Sequence, residues 1–293
     1  MGPQRRLTAL IVALLLSLAA ASAAQAPRSF LWKVQSGTRV LYLAGSVHAL
    51  GADMYPLAPA FQRAFDASGT LVEEIDLAEA DTLSALPMLM SKGMYQNGRT
   101  FDQAVSRDTV ALVNAKLQSV PGLSDMLKPM KPWVVTMMLT ALQVQASGLD
   151  ASLGLDKHFY DKAVAAGKPV IGLETAESQI DRFDKMPESV QEQMLRSTLK
   201  DMDAGNGELK AIMAAWKRGD TASIEQSMLG GFRAYPAAYT SLVVERNRNW
   251  LPQIDACLAR STPCFVIVGA AHLVGPDGLL TLLQNKGYRL EQQ

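Results

Sequence analysis

Short apolar runs alternate with longer stretches of helical period along this chain, and this alternation predicts a mixed α/β fold. Residues 30–33 and 39–44 are β-rich runs joined by a turn composition, which predicts a hairpin. Further buried strands are predicted at residues 70–75, 169–173 and 265–268. Since helical stretches separate these runs, we expect a central sheet that is largely parallel, covered by a large helical cap.

Helical periodicity occupies the intervals between the predicted strands. The predicted helical segments are, in chain order, residues 58–67, 79 to about 148, 156–166, 186 to about 258, and 278–286. Asp156 is the expected N-cap of the third segment, and Gly287 ends the last. The pattern therefore predicts one α/β domain over residues 27–293, with helical insertions at about 79–150 and 186–258.

The first residues have the pattern of a signal peptide. Arg5 and Arg6 precede a 14-residue apolar stretch, residues 7–20, and small residues that suit a cleavage site follow it. We expect residues 1–23 to be removed, with cleavage near 23–24 or up to 26. The stretch is shorter than the ~20 residues that span a bilayer, so we expect no transmembrane anchor after removal. An uncleaved anchor or a buried helix is the alternative, but the flanks favour a periplasmic or secreted protein.

The charged residues narrow the possible partners. The chain has 28 basic and 28 acidic residues, and loss of Arg5 and Arg6 leaves 26 basic residues. Such a slightly acidic protein, without runs of like charge, offers no electrostatic surface for nucleic acid or for polybasic lipid anchoring. A peptide or small-molecule substrate is expected instead, and the oligomeric state stays open.

Cys257 and Cys264 are the two cysteines of the chain. In an exported protein this pair predicts a local disulfide. A two-thiolate metal clip needs further ligands that the neighbouring sequence does not offer, and free buried cysteines are the third possibility.

Four of the predicted strands run into polar residues that a core would not select. These residues are, in chain order, His48; Glu73, Glu74 and Asp76; Glu174; and His272. Ligands of open α/β sheets bind at the carboxyl ends of the strands, so these groups are expected to share one crevice. Glu73 and Glu74 point to opposite faces of a strand, and Glu74, nearer the strand end, is expected to face the crevice.

Two of the three histidines stand in matching settings. Gly45 lies three positions before His48 after an apolar strand, and Gly269 stands in the same relation to His272. Glycine lets the backbone turn sharply or approach a ligand closely. Two imidazoles with one or two carboxylates suit a divalent transition metal, which would lower the pKa of bound water. A histidine satisfied by a hydrogen bond in the core or at the surface is the alternative for each, and His158 is expected to be solvated.

Arg246 is a weaker candidate. Its guanidinium could clamp an oxyanion or a carboxylate. The alternative is an ordinary charged helix face with Trp250 packed inward.

Several segments lie in order over about residues 30–290. They are Gly45-Ser46-Val47-His48-Ala49-Leu50, Leu71-Val72-Glu73-Glu74-Ile75-Asp76, Gly154-Leu155-Asp156, Gly167-Lys168-Pro169-Val170-Ile171-Gly172-Leu173-Glu174-Thr175, Glu245-Arg246-Asn247 and Val268-Gly269-Ala270-Ala271-His272-Leu273. In these segments the chain resembles the TraB/GumN family, which includes the pheromone-shutdown proteins and is similar to the animal Tiki membrane proteases. The resemblance implies a fold like that of the erythromycin esterases and the haem- or iron-binding ChaN lipoproteins.

The resemblance also implies a function. By analogy with Tiki it implies metal-dependent peptide cleavage, with His48, Glu74 and His272 as the site. We therefore expect an exported, peptidase-like hydrolase in which these three residues hold manganese, cobalt, iron or zinc. Glu174 would be a further ligand or the general base, and Arg246 would steady an oxyanion. The alternatives are a non-catalytic periplasmic protein that sequesters a peptide, haem or metal, and an envelope interaction module.

Overall fold

The computed structural model describes residues 28–78, 82–118 and 122–293, which form a mixed α/β structure around a six-stranded sheet. The predicted signal peptide lies outside the described residues. The strands are β1 (Leu31–Ser36), β2 (Arg39–Ser46), β3 (Thr70–Glu73), β4 (Val170–Gly172), β5 (Cys264–Gly269) and β6 (Arg289–Gln292). Each apolar run that predicts a strand therefore forms one, and β3 ends two residues earlier than predicted.

The strands follow the order β4-β3-β5-β2-β1-β6 across the sheet. The four strands from β4 to β2 are parallel to one another. Beyond β2, β1 pairs antiparallel with β2, and β6 pairs antiparallel with β1. The predictions of a hairpin and of a largely parallel central sheet are confirmed. Because four adjacent parallel strands end at the same edge, the residues that follow them lie side by side.

The centre of the sheet is the most deeply buried part of the molecule. All six residues of β5 are buried, on both faces of the sheet. Burial of a Val or Ile side chain contributes roughly 1.5–3 kcal/mol, so this apolar strand anchors the sheet. On its flank Phe65, Phe159 and Phe265 pack as an aromatic group, with ring centroids 4.9–5.9 Å apart. The rigid strand holds Gly269, its last residue, at the candidate site.

The pattern of the sequence does not predict β6. This strand pairs with β1, with Val34 opposite Leu290. Its residues are alternately exposed and half-buried, and three of the four are polar or charged. No apolar run marks such an edge strand, so backbone pairing with β1 is what defines it.

Helices form most of the remaining structure. Their bounds are, in chain order, Pro59–Asp66, Thr82–Gly93, Phe101–Ala104, Arg107–Leu117, Leu123–Leu127, Pro132–Ala146, Leu155–Ala165, Ala176–Asp184, Glu188–Ala204, Gly207–Lys217, Thr221–Ile224, Pro236–Tyr239, Glu245–Leu258, Ala270–Leu273 and Leu279–Asn285, with π-helical turns at Glu225–Leu229 and Thr240–Val244. The cap has an apolar cluster of its own, which includes Val135, Leu139 and Leu195. Within the described residues, no helix has the length and apolar character needed to cross a membrane.

Cys257 and Cys264 form a disulfide, with their Cα atoms 5.8 Å apart. The predicted disulfide is therefore confirmed. The bridge joins the end of the helix Glu245–Leu258 to the start of β5. Since that helix carries Arg246 and β5 leads to His272, the bridge ties together two elements of the candidate site.

Candidate active site

The structure brings the four polar groups that follow the parallel strands to one edge of the sheet. In the order of the strands they are Glu174 after β4, Glu74 after β3, His272 after β5 and His48 after β2. Adjacent strands lie about 4.8 Å apart, so neighbouring groups are within reach of one another. The distance from His272 Nε2 to Glu74 Oε1 is 3.9 Å.

The two glycines that precede His48 and His272 lie in crowded surroundings, and only at Gly45 would a side chain be excluded outright. A Cβ on Gly45 would overlap the ring of Phe30. A Cβ on Gly269 would lie 3.2 Å from Glu74 Oε1 and 3.7 Å from His48 Nε2. The bare backbone of Gly269 instead donates its N–H to Glu74 Oε1 at 2.7 Å. Glycine therefore lets the carboxylate and the imidazole approach the end of β5.

His48 lies at the mouth of the site and is oriented by an aspartate from a distant helix. Its Nδ1 is 2.8 Å from Asp156 Oδ2. The His48 side chain is 70% exposed, whereas that of Asp156 is 14% exposed. The negative charge of Asp156 outweighs desolvation and raises the pKa of His48 to about 9. The Asp156 contact leaves His48 Nε2 on the side of Gly269 and Glu74.

Asp156 is a residue of the candidate site to which the sequence interpretation gave no role in the site. The prediction that it caps its helix is wrong, because Gly154 is the N-cap of Leu155–Ala165. Asp156 lies in the first turn, and its side chain turns to His48 instead. Gly154 makes this possible, since a Cβ there would overlap the carbonyl oxygen of His48. The signal for it was the segment Gly154-Leu155-Asp156.

His272 is buried and held from both ring nitrogens. Burial lowers its pKa to about 3, so the imidazole is neutral at physiological pH. Its Nδ1–H donates to Asn247 Oδ1 at 2.7 Å, and its Nε2 accepts an N–H from Arg246 at 2.9 Å. The Asn247 amide is oriented in turn, because its Nδ2 donates to the carbonyls of His272 and Asp277. The ring therefore has one tautomer and one orientation.

Arg246 is the buried centre of this network. Its Nη2 donates to Glu74 Oε2, and its Nε donates to Glu174 Oε1 at 2.8 Å. Nη1 donates to His272 Nε2 and to the carbonyl of Leu242, which brings the hydrogen bonds of the guanidinium to four, and Nη2 also lies 2.6 Å from Glu174 Oε1 as an ion pair. Arg246 is thus placed to position its neighbours, and its N–H groups are engaged within the protein.

The guanidinium sets the charge state of the two glutamates differently. Burial favours protonation of Glu74, but Arg246, with the nearby histidines and the Gly269 N–H, holds its pKa well below the usual range. Burial raises the pKa of Glu174, and the attraction of Arg246 offsets this only in part. Gln179 donates to both carboxylates, at 3.1 and 3.3 Å. Glu74 is therefore a fixed anion of the site.

A cavity of about 470 Å³ opens over this edge of the sheet. It is lined by His48, Glu73, Glu74, Ile75, Leu77, Ala151, Ser152, Asp156, Lys157 and Gln179. Arg246, Glu174 and His272 are not among its lining residues and lie behind it. The site thus has an accessible layer around His48 and a buried layer around Arg246.

Glu73 lines the cavity as well, which the alternation of a strand does not predict. β3 ends at Glu73, so Glu74 already lies beyond the strand and the two side chains need not take opposite faces. Glu73 is 2% exposed, and neither carboxyl oxygen has a hydrogen-bond partner. Burial, followed by the charges of Asp156 and Asp76, raises its pKa to about 9.

A comparison with known protein families identifies the family of this chain. A model of the TraB/PrgY/gumN family matches residues 30–292, nearly the whole described chain. The chain belongs to the TraB/PrgY/gumN family. It is 28% identical over 250 residues to each of two proteins called "Uncharacterized protein YbaP", from Escherichia coli K12 and Shigella flexneri. These alignments cover 85% of this chain and 89% of each relative. No solved structure gives a significant match, so the likeness to erythromycin esterases and ChaN stays a prediction.

In this family member the predicted metal ligands do not form a ready metal site. Within the described ranges, no group of three or more His, Cys, Asp or Glu side chains is placed to hold one ion. His48 and Glu74 face the cavity, but His272 Nε2 already accepts an N–H from Arg246. A three-ligand centre does not fit the side chains as they lie, and the metal stays a prediction.

The third histidine lies outside the cavity. His158 is half-buried rather than solvated, with its ring 5.2 Å from that of Tyr55 and 5.0 Å from that of Phe159. Burial lowers its pKa. His158 therefore packs as an aromatic residue.

Proposed function

We propose that this crevice is the active site of a hydrolase that cleaves peptide or related acyl bonds, with His48 as its general base. The observation that carries the proposal is the pair of His48 and Asp156. Asp156 accepts the Nδ1–H of the ring at 2.8 Å, which leaves Nε2 as the proton acceptor beside the cavity once the ring is neutral, above its pKa of about 9. An imidazole held by a carboxylate in this way is a common arrangement for general-base catalysis.

The remaining residues have supporting roles in this proposal. Glu74, fixed as an anion, stabilises His48 when it carries the proton taken from water. Arg246 balances the charge of Glu74 and holds Glu174 and His272, so it positions the site without touching substrate. His48 then returns the proton to the leaving group. The cavity of about 470 Å³ is large enough for a few residues of a peptide.

The experiment is a turnover assay on the purified mature protein, as it is obtained after export. A mixed peptide library is incubated with the wild type, with His48→Ala and with His158→Ala, and cleavage is followed by mass spectrometry. We expect cleavage that His48→Ala abolishes and His158→Ala retains, since His158 lies outside the cavity. Equal cleavage by His48→Ala and the wild type would reject the role of His48. Tight peptide or haem binding without cleavage would support the alternative of a binding protein.

The predicted divalent metal is tested in the same preparation. Manganese, cobalt, iron and zinc are measured by elemental analysis, and the assay is repeated with a chelator and with added manganese. About one bound ion per chain that is lost in a His48→Ala, His272→Ala double variant would support the metal-dependent form of the proposal. In that case His272 would have to exchange its hydrogen bond from Arg246 for the metal.

We also propose that the protein is exported to the periplasm or secreted. The pattern of residues 1–23 and the disulfide, which suits an oxidising compartment, support this proposal. Cell fractionation and N-terminal sequencing test it. A mature chain that begins after residue 23, 24 or 26 is expected, and an intact N-terminus on a cytoplasmic protein would contradict it.

A further inference from the structure

A buried acid without a partner lines the same cavity as His48. Glu73 lines the cavity and is 2% exposed, and both of its carboxyl oxygens lack a hydrogen-bond partner. Buried polar side chains are almost always hydrogen-bonded, because an unsatisfied one costs about 1–3 kcal/mol. A buried carboxyl group that has no partner within the protein and also lines a cavity is therefore explained best by a ligand that satisfies it.

The surroundings of Glu73 favour a cationic ligand group. The charged groups that act most strongly on it are acids, namely Asp156, Asp76, Glu74 and Asp161. Because these negative charges oppose the ionisation of Glu73, a cationic ligand group beside it would favour its anionic form. Asp156 and Glu74 are already engaged with His48 and Arg246, so Glu73 is the acid left to bind an incoming cation.

The nearby cation of the chain itself is otherwise engaged. Lys157 also lines the cavity, but its Nζ donates to both carboxylate oxygens of Asp161 at 2.5 Å. Asp161 follows Lys157 by one helical turn, which stabilises the pair. Lys157 therefore does not satisfy Glu73 in this structure.

We propose that Glu73 is a specificity residue that binds a primary ammonium group of the substrate. This inference rests on the proposed function, since it places the ammonium group in the cavity whose mouth holds His48. Two sources of an ammonium group fit the chemistry, the amino terminus of a peptide and a lysine side chain. An ammonium group donates three N–H bonds and would satisfy both oxygens of Glu73.

Binding, rather than turnover, tests this proposal. Four versions of one lysine-containing tripeptide are titrated into the wild type and followed by calorimetry: with both amines free, with the terminal amine acetylated, with the lysine acetylated, and with both acetylated. We expect at least one free-amine form to bind roughly tenfold or more tightly than the doubly acetylated form, as for a charged hydrogen bond. Equal affinities for all four forms would overturn the proposal without need of a variant.

Variants then assign the preference to Glu73. Glu73→Gln keeps the shape of the side chain and removes no hydrogen bond within the protein, and it is expected to abolish the preference for the ammonium form. Asp66 is an exposed acid that does not line the cavity, and Asp66→Asn makes the same change from carboxyl to amide and is expected to keep the preference. A preference that persists in Glu73→Gln would overturn the assignment. Ammonium-selective binding without cleavage would uphold this inference while rejecting the hydrolase, so the two failures are distinguishable.

Discussion

His48 Nδ1 lies 2.8 Å from Asp156 Oδ2, although the two residues are 108 positions apart. The pair joins the loop after β2 to the first turn of the helix Leu155–Ala165. It also sets the charge of the residue at the mouth of the cavity. Because Asp156 is the dominant cause of the raised pKa of His48, the pair makes a direct prediction about pH.

Asp156→Asn is expected to lower the pKa of His48 from about 9 toward the ordinary value of about 6.5. The amide keeps the shape of the side chain but removes the charge that favours the protonated ring. NMR titration of the His48 ring protons measures the shift. The proposed hydrolase needs neutral His48, so the activity of the wild type should rise with pH around a midpoint of about 9. The activity of the variant should rise around a lower pH.

The same pair affects stability with a defined sign. Between about pH 6.5 and 9 the folded wild type binds a proton at His48 that the unfolded chain has released, so the free energy of unfolding falls as pH rises. Asp156→Asn should remove this slope, which denaturant titrations at several pH values would show. An unchanged slope would mean that His48 has an ordinary pKa.

Arg246→Gln is expected to destabilise the protein by about 3–5 kcal/mol, because it removes the cation that pairs with the buried carboxylate of Glu74 and leaves Glu174 with the longer ion pair to Arg182 at 3.7 Å. Urea denaturation measures the loss. Arg248→Gln on the same helix is the matched control. Arg248 is exposed, and its ion pair with Asp277 is long, at 3.6 Å. We therefore expect its loss to change the free energy of unfolding by no more than about 0.5 kcal/mol. Equal effects of the two variants would contradict the buried network.

Acid should destabilise the protein through His272. Its pKa of about 3 in the folded state lies below the unfolded value of about 6.5, so the unfolded chain binds the proton first as pH falls. The free energy of unfolding should therefore decrease between about pH 6.5 and 3, by at most about 1.4 kcal/mol per pH unit from this group. The slope should be smaller in His272→Gln, which cannot titrate. Parallel curves for wild type and variant would show that other groups dominate.

Gly45→Ala is expected to destabilise the protein by roughly 1–3 kcal/mol, because the added methyl group overlaps the buried ring of Phe30. Thermal unfolding measures the change. Gly207→Ala is the control, since a Cβ at that helical glycine meets nothing within 4 Å. That substitution should be neutral or slightly stabilising. Similar losses in both variants would indicate a general intolerance of alanine rather than the contact with Phe30.

The local sequence was sufficient for much of the fold. Apolar runs marked β2, β3, β4 and β5. The run is clearest in β5, because a strand that is buried on both faces is apolar along its length. The polar residues that follow these runs were visible for the same reason, as was the disulfide between two neighbouring cysteines. β6 was not visible, because an edge strand requires only backbone pairing.

The tertiary structure decided how these pieces form a site. The sheet order β4-β3-β5-β2 depends on contacts between distant segments, and no local pattern encodes it. That order surrounds Arg246 with Glu74, Glu174 and His272, and it brings Asp156 to His48. The sequence by itself determined which side chains stand at the ends of the strands. Only the packing of the whole chain decided which of them are paired in the interior and which, like His48 and Glu73, border the cavity, because pairing and burial depend on neighbours that are remote in sequence.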